Sequence, residues 1–344
     1  MLMKHWKVQR LKLRQLQDSR INANKWISRG YSEKIIKKGY PFCLEKVVNR
    51  MRLISRKTLL LFFLPGAIFM GAFLIYPIIT MVVDSFFEIG ITGDKTFVGL
   101  ENYIRAFTAG GFLKQLKNTL LYIVIAVSIE TAIGLLFALF FELNYKGSKI
   151  IRSLMMAPLM IAPLVAGLTW KLMMSSSFGI VNELLAKIGI LSSSSDILWL
   201  ADEKWSLLAC CIADIWLTTP FMMLMILAGL QGLDSSMLEA AKMDGASLLQ
   251  QVFAIKLPVI KPVLLTALSV RIIDAARTFD IIWAMTEGGP NSSSETLSII
   301  IYKTLTRYND VGYASAMAVV FIAVLVIFTL VFMQSLWNPK KKNC

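Results

Sequence analysis

Residues 117–141 read KNTLLYIVIAVSIETAIGLLFALFF, and within them Leu120 to Phe141 form one nearly unbroken apolar run. A run of that length meets the roughly 20 mainly apolar residues that a helix needs to cross about 30 Å of hydrocarbon at 1.5 Å per residue. It shows no period-two alternation, which excludes a membrane β-barrel strand. Five further stretches of the same kind lie at about 59–83, 151–174, 206–230, 259–285 and 313–337. Only helices or closed barrels satisfy every backbone polar group in lipid. The fold class expected is therefore an all-α membrane protein, a six-helix transmembrane bundle.

The whole composition agrees, since 56% hydrophobic residues and a mean hydropathy of +0.63 are too apolar for soluble domains. The net charge of +14 sits almost entirely at one end. Residues 1–57 hold 16 Lys and Arg against Asp18, Glu33 and Glu45. The expected reading is a basic cytoplasmic tail that anchors topology and meets anionic lipid, with a dedicated partner site as the alternative and no nucleic-acid role. Positive loops stay inside, so both termini are expected in the cytoplasm, as is the short loop with Lys146, Lys149 and Arg152. The division expected is a tail at 1–57, a permease domain at 58–338 and a second cytoplasmic tail at 339–344.

Cys43, Cys210, Cys211 and Cys344 form no C-x-x-C pair, and the only histidine is His5, so no metal site is expected. Cys210 and Cys211 lie inside an apolar run as small hydrophobes. Neither an intramembrane histidine nor an activated cysteine is available for catalysis, and no enzyme activity is assigned.

The one long cytoplasmic loop, 231–258, contains Leu233-Asp-Ser-Ser-Met-Leu-Glu-Ala-Ala-Lys-Met-Asp-Gly-Ala-Ser. Asp234 or Ser235 can cap a short helix through Glu239, Ala240 and Ala241. Gly245 permits the left-handed turn that ends it, and Pro258 suits the first turn of the next span. The low surface of Ala240 and Ala241, flanked by Glu239 and Asp244, fits a groove of a partner or lies at the lipid interface.

The spacing Glu239-Ala240-Ala241, three residues, Gly245, nine residues, Ile255, one residue, Leu257-Pro258 resembles the EAA motif of ABC importer permeases at every fixed position. The block Asp280-Ile-Ile-Trp-Ala-Met-Thr286-Glu-Gly288-Gly289-Pro290 is similar to one found in six-span carbohydrate permeases of the maltose type. Glu295-Thr296-Leu297, Ile301-Tyr302, Gly312-Tyr313-Ala314 and Gly179-Ile-Val-Asn182 fit as well. The likeness covers about 59–337. It implies a permease subunit of the bacterial inner membrane whose Glu239, Ala240, Ala241, Asp244 and Gly245 couple to a cytoplasmic ATPase. It also implies a second homologous permease, a pair of ATPase subunits, an extracytoplasmic solute-binding protein, and alternating access. No Walker A sequence, G-x-x-x-x-G-K-[ST], is present here, so ATP and Mg are expected on the partner ATPase chains.

Charged residues inside spans are expensive, about 2.5–3.5 kcal/mol at a helix centre on insertion scales, and should face the interior or water. Arg271, Asp274, Arg277 and Asp280 fall at steps of three in span five, which places them on one slowly rotating face for mutual pairing or substrate contact. Asp274, Arg277 and Thr278 are candidate pathway residues. In span four, Asp214, Trp216, Thr218 and Phe221 combine aromatic faces with hydrogen-bonding groups, a mixture that suits sugars. By resemblance Trp216, Thr218 and Phe221 line the sugar path. Pro158, Pro163 and Gly167 mark a kink in span three. A polyol or sugar phosphate is the alternative solute, and an ion-coupled secondary transporter is the alternative class.

Overall fold

The computed structural model describes residues 56–336, apart from 91–92, 109–110, 144 and 194–195. The basic tail at 1–57, save its last two residues, and the tail at 339–344 lie outside the described residues. The chain forms two units that divide between Pro77 and Ile78.

Five helices among the described residues are long and apolar enough to cross a membrane: Leu60–Asp84, Gly111–Glu142, Ser206–Gln231, Leu248–Ala276 and Val311–Leu330. The first comprises α1 (Arg56–Met70), a π-helical turn Gly71–Ile75 and α2 (Tyr76–Asp84). A small hairpin follows, β1 (Phe87–Ile89) antiparallel to β2 (Lys95–Phe97), with Glu88 opposite Thr96. Helix α3 (Glu101–Thr108) is tied to it by Asn102 Nδ2, which donates to the carbonyls of Ser85 and Phe87 at 3.1 Å each.

Helix α4 (Gly111–Glu142) buries a stripe at spacings of four and three, through Tyr122, Ala126, Glu130, Gly134, Ala138 and Phe141. That stripe meets α8 (Ser206–Gln231), the most buried of the five long helices. Small residues let the backbones approach, as helices in lipid require. At Gly134 an added Cβ would stand 2.9 Å from Met222 Cβ and 3.0 Å from the Met223 nitrogen. Ala209, Cys210 and Ala213 of α8 are fully buried in the same core, which bears out the reading of Cys210 and Cys211 as packing residues.

The expected third span is not a continuous helix. It consists of α5 (Ser148–Met155), a 3₁₀ turn Ala157–Met160, an extended Ile161 and Ala162, and α6 (Pro163–Met173). The physical cause is Pro163, whose ring forces the preceding Ala162 out of helical geometry, to φ −63° and ψ 135°. A kink was expected, and the break is complete. Helix α7 (Ile180–Lys187) lies in the following connection, where the Glu183 carboxyl is held below its usual range by Lys187.

The expected fifth span is also divided. After α9 (Ser235–Met243), α10 (Leu248–Gln250) and a π-helical segment Gln251–Lys256, helix α11 (Leu257–Ala276) stops at Arg277. A separate short helix, α12 (Asp280–Thr286), then packs on α6. An added Cβ at Gly167 would stand 2.8 Å from Ala284 Cβ, so the two short helices touch backbone to backbone. The single helical face expected for Arg271, Asp274, Arg277 and Asp280 is thereby corrected, because only the first two belong to α11. Neither proline nor glycine forces this end. Thr278 Oγ1 bonds back to the Asp274 carbonyl there, and the Phe279 ring stacks on Trp283 at 5.4 Å.

Helices α13 (Leu297–Thr306) and α14 (Val311–Leu336) complete the chain. The connection before α13 is held to α4 by buried polar contacts. Gln115 Nε2 donates to Glu295 Oε2 at 2.7 Å, and Asn118 Nδ2 donates to the carbonyls of Ser292 and Glu295 at 3.0 Å. The Glu295 of the resemblance block is thus a structural anchor, also paired with Lys303.

Gly134→Val is expected to destabilise the bundle by about 1–3 kcal/mol through overpacking against Met222 and Met223. A lower thermal midpoint of the detergent-solubilised protein is the measurement. An unchanged midpoint would mean that the α4 and α8 backbones are not in close contact.

Candidate functional site

Three helices each send charge into the bundle. Glu130 of α4, Asp214 of α8 and Arg271 of α11 are all buried, at 0%, 3% and 2% exposure. Arg271 Nε donates to Glu130 Oε1 at 2.7 Å, and its Nη2 donates to Glu130 Oε2 at 3.1 Å and Asp214 Oδ2 at 3.0 Å. Its Nη1 donates to Asp274 Oδ2 at 2.6 Å. Four of the five guanidinium N–H groups are therefore taken, in the fork geometry that only arginine offers. Thr218 Oγ1 lies 2.6 Å from both Glu130 Oε2 and the Asp214 carbonyl.

The network ends at an opening. Arg277 Nη2 and Nε donate to Asp274 Oδ1 at 3.0 and 3.3 Å, and the side chains of Arg277 and Asp274 are 70% and 46% exposed. A cavity of about 310 Å³ borders them, lined by Asp214, Thr218, Asp274, Arg277, Thr278 and Asp280, with Phe279 and Leu217 among its apolar members. The volume is within the usual range for small-molecule pockets, about 300–1,000 Å³.

Five sequence-predicted pathway residues thus meet at one cavity: Asp214, Thr218, Asp274, Arg277 and Thr278. Trp216 and Phe221 do not. Trp216 lies on the opposite face of α8, where it meets Trp170 edge to face at 6.0 Å and borders a larger apolar cavity of about 640 Å³. Phe221 shares the face of Asp214 but lies two turns on, about 10 Å along the axis, packed against the cluster of Met222, Ile226 and Leu230. Glu130 was missed. The available signal was a lone carboxylate in the apolar run 120–141, which in lipid requires a partner.

The loop 231–258 folds as its sequence dictates. Asp234 Oδ1 accepts from the Ser236 nitrogen at 2.9 Å, which caps α9 and holds the Asp234 carboxyl below its usual range. Gly245 takes φ +78°, and the Ala246 nitrogen returns to the Ala241 carbonyl at 2.9 Å. Ser247 and Gln250 then form a reciprocal capping box. Gln251, buried, donates to the Ala246 carbonyl at 2.8 Å and fixes the turn. Glu239, Ala240, Asp244 and Gly245 are exposed, while Ala241 is buried. Around them Met243, Leu248 and Phe253 stand exposed at 88%, 76% and 66%, a surface rich in apolar groups beside a charged rim. At the end of the loop, Lys256 Nζ pairs with Glu142 Oε2 at 2.6 Å, with both side chains largely buried, and joins the start of α11 to the end of α4.

Long apolar helices around an internal charge network, with a capped and exposed loop between two of them, define a membrane transport subunit. The model of the family "Binding-protein-dependent transport system inner membrane component" matches residues 130–343. The chain belongs to that family, and is an inner-membrane permease subunit of an ABC importer and not an enzyme. It is 34% identical over 291 residues to the trehalose/maltose transport system permease protein MalF of Thermococcus litoralis, across 84% of this chain and 96% of that one. It is 36% identical over 272 residues to the sulfoquinovosyl glycerol transport system permease protein SmoG of Agrobacterium fabrum, across 78% and 87%. Its fold matches a chain of a bacterial ABC transporter that imports the acidic polysaccharide alginate, with a TM-score of 0.72 at 22% identity over 87% and 99% of the two chains.

Arg271→Ala strands the buried Glu130 and Asp214 and is expected to cost about 3–5 kcal/mol, the usual penalty for breaking a buried pair from one side. The triple variant Glu130→Leu, Asp214→Leu, Arg271→Met removes those charges together and is expected to restore folded yield in detergent. Full stability of Arg271→Ala would show that the network does not hold the helices.

Proposed function

We propose that this chain, with a second homologous permease, forms the transmembrane pathway for a carbohydrate delivered by an extracytoplasmic solute-binding protein. Two cytoplasmic ATPase subunits, which bind ATP and Mg, drive it by alternating access. The single observation that carries the reading is the loop 231–258. Its caps, its left-handed Gly245 and its buried Gln251 fix a short helix with Glu239, Ala240, Asp244 and Gly245 facing outward. Such a surface suits insertion into a cleft of a partner, with Met243 and Leu248 adding apolar contact.

Displacement of that loop has a short route to the cavity. The π-helical segment Gln251–Lys256 runs directly into α11, and Lys256 holds Glu142 of α4. Further along the same two helices, Arg271 of α11 holds Glu130 of α4. A push on the loop therefore moves α11 and α4 together, and the cavity bordered by Asp214, Asp274 and Arg277 changes its opening. A carbohydrate is the solute that best fits the cavity's carboxylates, hydroxyls and the Phe279 ring. The two relatives named for trehalose, maltose and sulfoquinovosyl glycerol support that class.

The test is co-purification of the tagged chain from its own host in mild detergent, followed by mass spectrometry and an ATPase assay with sugar-loaded binding protein. A second permease and an ATPase are expected in the complex. Glu239→Ala and Gly245→Val, the latter strained at φ +78°, are expected to lose the ATPase subunits while the chain remains inserted in the membrane. Wild-type assembly and uptake in both variants would remove the coupling role from this loop.

A further inference from the structure

Whether the solute is neutral or acidic is the question that the relatives leave open, because they include transporters of both kinds. We infer that the saccharide passing through this permease carries no carboxylate, sulfonate or phosphate, and that Asp274 and Asp280 enforce this. The inference rests on the carbohydrate reading above and concerns the same cavity.

The basis is the balance of charge around the cavity. Around the network stand three carboxylates, Glu130, Asp214 and Asp274, against two guanidiniums, Arg271 and Arg277, which leaves one formal negative charge. Asp280 lines the cavity as well and adds a second. An acidic sugar requires a cation whose charge is not already neutralised. Arg271 has given four of its N–H groups to three carboxylates, and its side chain is only 3% exposed. Arg277 is accessible and uses two of its five N–H groups on Asp274 Oδ1, so its charge is already shared with that carboxylate and an incoming anion would bind beside it. Such an anion would also approach Asp274 and Asp280, and like charges repel, most strongly at low ionic strength.

A neutral sugar meets the opposite situation. Ionised carboxylates only accept hydrogen bonds, and sugar hydroxyls are donors. Asp274, half exposed, and Asp280, exposed, offer oxygens toward the cavity, while Phe279, Leu217 and Ile281 supply apolar surface for the ring face. The arrangement thus discriminates by repulsion as much as by attraction.

The experiment is equilibrium binding to the whole importer, purified without its binding protein at low ionic strength. The probes are trehalose and a disaccharide of two uronic acids. Trehalose is expected to bind on the order of tenfold more tightly, and Asp274→Asn and Asp280→Asn are each expected to narrow that gap by raising the affinity for the diuronate. Asp280→Asn leaves the Arg271 network whole and so reads charge without a folding change. Equal or tighter binding of the diuronate by the unaltered importer overturns the inference, as does a gap unchanged in both variants. Binding of mannitol or glutamate with neither disaccharide bound would instead overturn the carbohydrate reading itself.

Discussion

A guanidinium removed from water inside a membrane bundle is tolerable only if its charge and its donors are met, and Arg271 meets both conditions with residues from three helices. Its partners fix how α4, α8 and α11 stand relative to one another, because the fork-shaped cation donates to carboxylates in its own plane. Close backbone packing at Gly134 brings α4 and α8 near enough for Glu130 and Asp214 to reach the same guanidinium. The cavity exists where this network runs out of buried partners, at Asp274 and Arg277.

The two broken spans serve the same end. A continuous helix through 151–174 or 259–285 would carry its residues past one another. Two short helices, α6 and α12, instead meet through Gly167 and Ala284. Their meeting places Pro163, Phe279, Asp280 and Ile281 around the cavity that α8 and α11 open. Irregular backbone at membrane depth is acceptable in such a place because it is buried in protein or borders a polar space. The loop 231–258 is linked to that space through continuous helix and through one further ion pair, Lys256 with Glu142.

The first helix of the loop and its left-handed Gly245 were legible, because N-caps, a left-handed glycine and a helix-starting proline act within a few residues of sequence, whereas the Ser247–Gln250 box and the π-helical segment after it emerged only in the structure. The candidate site was legible in part. Asp214 and Thr218, four apart on one helix, necessarily share a face, and Asp274, Arg277 and Thr278 cluster by proximity. Trp216, two residues from Asp214, is carried by helix geometry to the opposite side, and Phe221 two turns away along the axis. Glu130 was hidden because its partners, Thr218 and Arg271, lie 88 and 141 positions further along the chain.

By itself, then, the sequence determined the helical membrane class and the helix-turn geometry of the exposed loop 231–258, since the solvent-like demands of lipid and the local rules of capping need no distant contact. Only the tertiary structure decided that Arg271 is shared among Glu130, Asp214 and Asp274, that α11 ends at Ala276, and that the remaining charge faces a cavity. Those outcomes depend on which helices touch, and contact between remote segments is set by close packing and mutual charge neutralisation, not by local pattern.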